Sequence, residues 1–193
     1  MNRTIKTKRR TTKKYTRKVY TKKDFSSGDG MLTSVWGPSL WHYLHTMSFN
    51  YPVNPTNEDK REYMKFIKSL VYVLPCKYCR LNLINNFKSL PLTINVMKNR
   101  ESFSLYVYQL HEHINKMLDK KSGLSYDDVR ERYEHFRARC TKDVKEIQFN
   151  KNIEKGCVTP LYGKKSKCVI KIVPAETKCE TFQIDKKCIK KRE

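Results

Sequence analysis

Two cysteines three positions apart, Cys76 and Cys79, stand in the run Pro75-Cys76-Lys77-Tyr78-Cys79-Arg80. Thiols so spaced at the start of a helix can close a small disulfide and open it again. Unpaired N–H groups at the helix start, with Lys77 and Arg80 beside them, favour thiolate over thiol. The thiolate is the species that attacks a disulfide or gives electrons to an acceptor. In this reading the first thiol meets an outside partner, and the second lies one turn deeper, facing whatever packs beneath. The other reading is half of a zinc site, which needs a second Cys or His pair. No second C-x-x-C follows, and the rings of His111 and His113 point to different sides of a helix.

A second constellation is aromatic. Trp36-Gly37-Pro38-Ser39-Leu40-Trp41 is followed by Leu44-His45. Trp41 and His45 are four apart and share a helix face, either as a slot for a flat heteroaromatic ring or as ordinary core. His111 and Asn115 repeat the spacing, with Tyr106 and Tyr108 upstream and Lys120 and Lys121 downstream. That pair offers hydrogen bonds and the lysines can meet phosphates; the plainer reading is a solvated face.

The elements that must hold these residues are helical. Apolar spacing predicts a helix from Pro38 to about Phe49, with Pro38 in its first turn. A second fits 57–74, capped by Thr56 with Asp59, with Tyr63, Phe66, Ile67, Leu70, Val71 and Leu74 on one side. A third fits Lys77 to Phe87, with Leu81, Ile84 and Phe87 as its buried stripe. A fourth fits 101–119, turning Phe103, Tyr106, Val107, Leu110, Ile114, Met117 and Leu118 inward. A fifth fits 126–139. Helices of this length with short connections suggest a small bundle. After Cys140 the texture changes: 168–174 alternates like a strand, 181–185 reads as a second, and 141–193 reads as a small appendage.

The net charge of +22 is uneven. Residues 1–30 carry eleven Lys/Arg against two Asp/Glu, and 141–193 carry fourteen against seven. The first stretch reads as a disordered basic arm ended by a hinge at 26–30. It would draw nucleic acid or an anionic surface weakly through phosphates, or serve as a solubilising or targeting tail. It lacks the apolar core of a secretory signal, and no run approaches a membrane span. The seven cysteines cannot all pair within one chain. Outside an oxidising compartment they point to redox or metal chemistry.

Taken together, W-G-P-x-x-W-x-x-L-H-T from Trp36, then Tyr51-Pro52, P-C-x-x-C, and H-x-x-x-N-x-x-L-x-K from His111 resemble the Erv/ALR sulfhydryl oxidases. The resemblance spans 33–140. It implies an all-α fold, a four-helix bundle plus a short fifth helix, in a homodimer that binds FAD. It further implies oxidation of protein thiols, with electrons passed to oxygen to give hydrogen peroxide. Cys76 would be the interchange thiol and Cys79 the one beside the flavin. The residues expected at the cofactor are Trp36, Gly37, Trp41, His45, Tyr51, Tyr108, His111, Asn115, Leu118, Lys120, Lys121, Arg132 and Tyr133. The layout is then an arm at 1–30, an oxidase domain at 31–140 and a Cys-containing extension at 141–193.

Departures from the family pattern accompany it. Tyr106 and Glu112 stand where the family often has Trp and Asn, and a family cysteine near Tyr126 is missing. Cys140 thus lacks its family partner. The arm has no cysteine, so any shuttle would use Cys157, Cys168, Cys179 or Cys188, which otherwise read as structural pairs or a zinc module. The basic arm and the tail look like members carried by large cytoplasmic DNA viruses, placing the chain in host cytoplasm or virion, with the mitochondrial intermembrane space as the lesser reading. The competing function is a nucleic-acid-binding or virion structural protein.

Overall fold

The computed structural model describes residues 20–139, 156–179 and 182–189. Among the described residues six α-helices are present: α1 (Lys22–Phe25), α2 (Thr33–Phe49), α3 (Asn57–Val73), α4 (Lys77–Ser89), α5 (Arg100–Met117) and α6 (Tyr126–Glu134). Helix α2 packs on α5 and α6, α3 on α4, and α5 on both α4 and α6. The five expected helices are thus all present, and α1 adds a single turn at the end of the arm. Side chains supply the caps. Thr56 with Asp59, Asn99 with Ser102 and Ser125 with Asp128 each form a reciprocal box at the start of α3, α5 and α6. Leu44, Ile67, Leu70, Leu83, Met97, Phe103, Tyr106, Val107 and Leu110 form the core.

Helix α2 begins five residues before the expected Pro38, which lies inside it. Leu32 caps it without a side-chain bond. Tertiary contacts hold the start instead. The Met31 N–H donates to the Pro75 carbonyl at 2.8 Å. The Trp36 indole N–H donates to the Met31 carbonyl at 3.1 Å. Pro38 costs the helix one bond, to the carbonyl of Ser34, so the anchored start offsets a local weakness.

Burial on α4 follows the expected Leu81, Ile84 and Phe87 stripe only at Phe87, which packs against the core. Leu83 and Asn86 are buried, while Leu81 and Ile84 are 51% and 41% exposed. Cys79 packs against the core, so Cys79, Leu83 and Asn86 follow each other inward at helical spacing. Leu81 is about 200° around from Leu83 and faces out. Met117 and Leu118 are exposed where α5 runs past the core, and Phe66 sits at the surface against Tyr43.

Helix α6 stops at Glu134, not 139. Beyond it the backbone pairs with the tail: Arg139 N–H to Thr159 O and Leu161 N–H to Arg137 O, each at 2.8 Å, around a bridge between Ala138 and Pro160. The expected strand at 168–174 does not form, nor does one at 182–185, and no β-strand occurs among the described residues. Val169, Ile170 and Ile172 are exposed and have no neighbouring strand to satisfy their backbone groups. The arm at 1–19 lies outside the described residues. No described helix is long and apolar enough to cross a membrane.

Tyr51 is fully buried, and its hydroxyl donates to the Met97 carbonyl at 3.0 Å. Tyr51→Phe strands that carbonyl. It is expected to cost about 1–2 kcal/mol in urea unfolding, and an unchanged midpoint would show the bond to be dispensable.

Candidate active site

The dithiol sits where α3 hands over to α4. Cys76 is the N-cap of α4 in extended conformation, and its sulfur accepts the Cys79 N–H at 3.2 Å. The two are joined in a disulfide with Cα atoms 5.2 Å apart. Pro75 ends the preceding helix, and the Arg80 guanidinium donates to the Leu74 carbonyl. Both cysteines are half-buried. Cys79 faces the core, with the Thr33 hydroxyl 3.9 Å from its sulfur.

Thr33 begins a row. Thr33, Gly37, Trp41 and His45 follow one another four residues apart along α2. At 1.5 Å per residue, Thr33 and His45 are separated by about 18 Å. A side chain is missing at Gly37, where an added Cβ would meet only the Thr33 methyl, at 3.7 Å. The row therefore carries no side chain between Thr33 and Trp41, which leaves helix backbone for a flat ring to lie against. Farther along, Trp41 stacks on His111 with centroids 3.9 Å apart and planes 7° from parallel. That spacing admits no third ring between them, so a ligand ring must stack on an outer face.

His45 and His111 are joined ring to ring, Nε2 to Nδ1 at 3.0 Å. Burial pushes His45 down to about 3, helped by the charges of His111 and His42. Burial likewise pushes His111 down to about 4; Glu112 opposes this and Lys120 adds to it. Both rings are neutral near pH 7, so one donates and the other accepts. Nδ1 of His45 is buried without a partner among the described residues. A buried polar atom in that state is costly unless a ligand satisfies it.

Tyr133 closes this end of the cluster. Its ring lies 5.3 Å from His45 and stacks on Phe49 at 5.5 Å. Its hydroxyl is 3.3 Å from Nδ1 of His42. Arg132 precedes it on the last turn of α6. Asn115 is tied to Glu112 at 2.9 Å. Leu118 caps α5 and is exposed, and Lys120 N–H turns back to the Asn115 carbonyl at 2.8 Å. Lys116, Lys120 and Lys121 rim an open depression beside Glu112.

Other expected residues lie elsewhere. Tyr51 is in the core. Trp36 braces the start of α2, and the Tyr108 hydroxyl donates to the Leu124 carbonyl at 2.7 Å, holding the loop before α6. His42, Phe49 and Phe136 join the site although the sequence reading passed over them. The i, i+7 relation of His42 to Phe49 was the available signal, but which side of α2 met α6 was not.

In the tail, Cys157 is disulfide-bonded, whereas Cys168, Cys179 and Cys188 are free thiols. Cys140 lies outside the described residues. No group of three or more metal-ligating side chains is assembled among the described residues.

The sequence profile of the Erv1 / Alr family matches residues 38–134, half of the chain. The chain belongs to the Erv1/Alr family. Among its relatives is a probable FAD-linked sulfhydryl oxidase of Acanthamoeba polyphaga mimivirus, 37% identical over 104 residues, covering 54% of this chain and 72% of the relative. Another is an FAD-linked sulfhydryl oxidase of African swine fever virus, 31% identical over 99 residues, covering 51% of this chain and 80% of the relative. The FAD-binding domain of Erv1 from Saccharomyces cerevisiae aligns with a TM-score of 0.49 at 23% identity, over 53% of this chain and 94% of that one.

The neutral histidine pair of this Erv1/Alr chain has a pH signature. Unfolded histidines titrate near 6.5, above the folded values of about 3 and about 4. As pH falls below 6.5 the unfolded state takes protons first, so stability is lost down to the folded values and levels off below them. Urea unfolding at pH 5 is expected to show roughly 2–4 kcal/mol less stability than at pH 7. His111→Asn should flatten that dependence, and equal stability at the two pH values would refute the neutral pair.

Proposed function

We propose that this chain is an FAD-linked sulfhydryl oxidase that forms disulfides in protein substrates. The observation that carries the reading is the Cys76–Cys79 disulfide set against the start of the Thr33–Gly37–Trp41–His45 row. A substrate thiolate attacks Sγ of Cys76, forming a mixed disulfide and releasing Cys79 as thiolate. A second substrate thiolate then displaces Cys76, leaving the substrate oxidised and both enzyme cysteines reduced. The first N–H groups of α4 stabilise the thiolates, and the Thr33 hydroxyl lies in reach of the Cys79 sulfur. Bound FAD would supply the acceptor chemistry, a two-electron sink for the dithiol that molecular oxygen reoxidises with formation of hydrogen peroxide.

The residues suit that group. Gly37 leaves bare backbone one turn along α2 from Thr33, whose hydroxyl reaches the Cys79 sulfur, and Trp41 and His111 offer a stacking face. Nδ1 of His45 lacks a partner. Asn115, Leu118, Lys120 and Lys121 rim the side suited to the nucleotide and its phosphates, with Arg132 and Tyr133 at the far wall. The catalytic unit is 31–140, with 141–193 as an extension. A homodimer is supported by the exposed Leu81, Ile84, Tyr72 and Val73. The viral relatives support a viral protein acting in host cytoplasm or virion on virion thiols, with the basic arm drawing it weakly to nucleic acid.

The purified chain is expected to show a flavin absorption band that bleaches with dithiothreitol and returns in air. Cys76→Ser and Cys79→Ser should each lower dithiothreitol-driven oxygen uptake at least ~100-fold while keeping the flavin. A chain that stays colourless after incubation with FAD would sink the reading. Gly37→Ala separates fold from site. It should strengthen α2 by up to about 1 kcal/mol yet weaken FAD binding several-fold by covering that backbone. Tighter or equal binding would place the ring elsewhere.

A further inference from the structure

The extension beyond the bundle reaches the cofactor side of the site. Residues 159–161 are tied by backbone bonds to 137–139, directly after α6. Farther along, Lys164 N–H donates to the Lys187 carbonyl at 3.4 Å, folding the tail back on itself. Phe182, which none of the family motifs includes, then lands on the aromatic cluster. Its ring is 5.6 Å from His42, 6.2 Å from Tyr133 at 19°, and 6.2 Å from Phe136 edge-on. Tyr133 in turn meets His45, and His45 meets His111 and Trp41. Rings in contact therefore run without a break from the tail to the row on α2.

We propose that Phe182 is a positioning residue for the FAD site, pinning the C-terminal extension over Tyr133 and holding that ring against His42 and His45. This rests on the FAD reading above. Tyr133 stands on a short helix of nine residues that ends at Glu134. Among the described residues its hydroxyl meets His42, and its ring is steered by the rings packed on it. Phe49 covers one side and Phe182 adds cover on the tail side. Such ring pairs favour a narrow set of orientations. If the tail holds the ring that borders the cofactor, binding of FAD and seating of the tail are coupled. Coupling between two equilibria is reciprocal: each must strengthen the other by the same factor.

Phe182 is partly exposed, so its truncation leaves the buried core intact. In the full-length chain loaded with FAD, Phe182→Ala is expected to release FAD about three- to tenfold faster than wild type, the factor carried by one aromatic pair. Phe182→Trp and Phe182→Tyr should restore slow release whereas the apolar but non-aromatic Phe182→Leu should not, a split that a generic loss of volume would not explain. Limited trypsin cleavage supplies a readout without turnover. Cutting around Lys164, Lys165 and Lys167 should slow when FAD is added to the wild-type apoprotein, and FAD should give no such protection in Phe182→Ala. Release from Phe182→Ala at the wild-type rate, or tail cleavage indifferent to FAD in the wild type, overturns the inference while leaving the oxidase standing. A wild-type chain that never takes up FAD overturns both.

Discussion

The junction at Pro75, Cys76 and Cys79 governs more of this molecule than its own chemistry. The disulfide holds the first turn of α4 with Cys79 turned inward, and Leu83 and Asn86 follow at helical spacing. The same junction offers the Pro75 carbonyl to the Met31 N–H. That bond starts α2 five residues before its proline and sets Thr33 beside the Cys79 sulfur. Gly30 must pass close to this point: a Cβ there would lie 2.9 Å from the Pro75 carbonyl oxygen. Redox pair, helix phase and helix start are thus one constraint. A change at any of them is felt at the others.

From that junction the site extends along α2 as a graded environment. Near Cys79 it is half-open and polar, as thiol exchange requires. At Gly37 it is bare backbone. At Trp41 and His45 it becomes buried and aromatic, and two imidazoles stay neutral because burial makes their charged forms costly. Neutral rings can share a hydrogen bond and still present flat faces. A carboxylate or an ammonium in the same place would need a counter-charge that the cluster does not contain. Charge gathers at the edges: Glu112 beside His111, Arg132 before Tyr133, and Lys116, Lys120 and Lys121 around the end of α5.

The tail shows how an extension can matter without a fold of its own. It forms no strand among the described residues and buries little. It gains its place by a few backbone bonds to the segment after α6 and by one phenylalanine on the aromatic cluster. Each of these contacts is weak, and each depends on α6 stopping where it does. Its thiols are not equivalent either: Cys157 is bonded, while Cys168, Cys179 and Cys188 remain free.

Local signals determined much of this. The spacing of apolar residues and the caps at Thr56 and Ser125 located the five helices of the bundle, because caps and amphipathic faces are properties of neighbouring residues. The C-x-x-C pair was legible for the same reason: three positions at a helix start place two thiols within bonding reach. So was the kinship, since its motifs keep their order and spacing. What tertiary structure alone decided were the relations between helices. Leu81 and Ile84 are as apolar as Leu83, and only the inward turn of Cys79 selects which are buried. Pro38 reads locally as a first-turn residue, and only the Met31–Pro75 bond draws the helix past it. Tyr51 sits in a family motif, yet its hydroxyl is bound to Met97, 46 residues away. The strand at 168–174 had the right residues, but a strand needs a partner, and the described residues supply none there. The contact of Phe182 with Tyr133 joins residues 49 positions apart, beyond the reach of any periodicity.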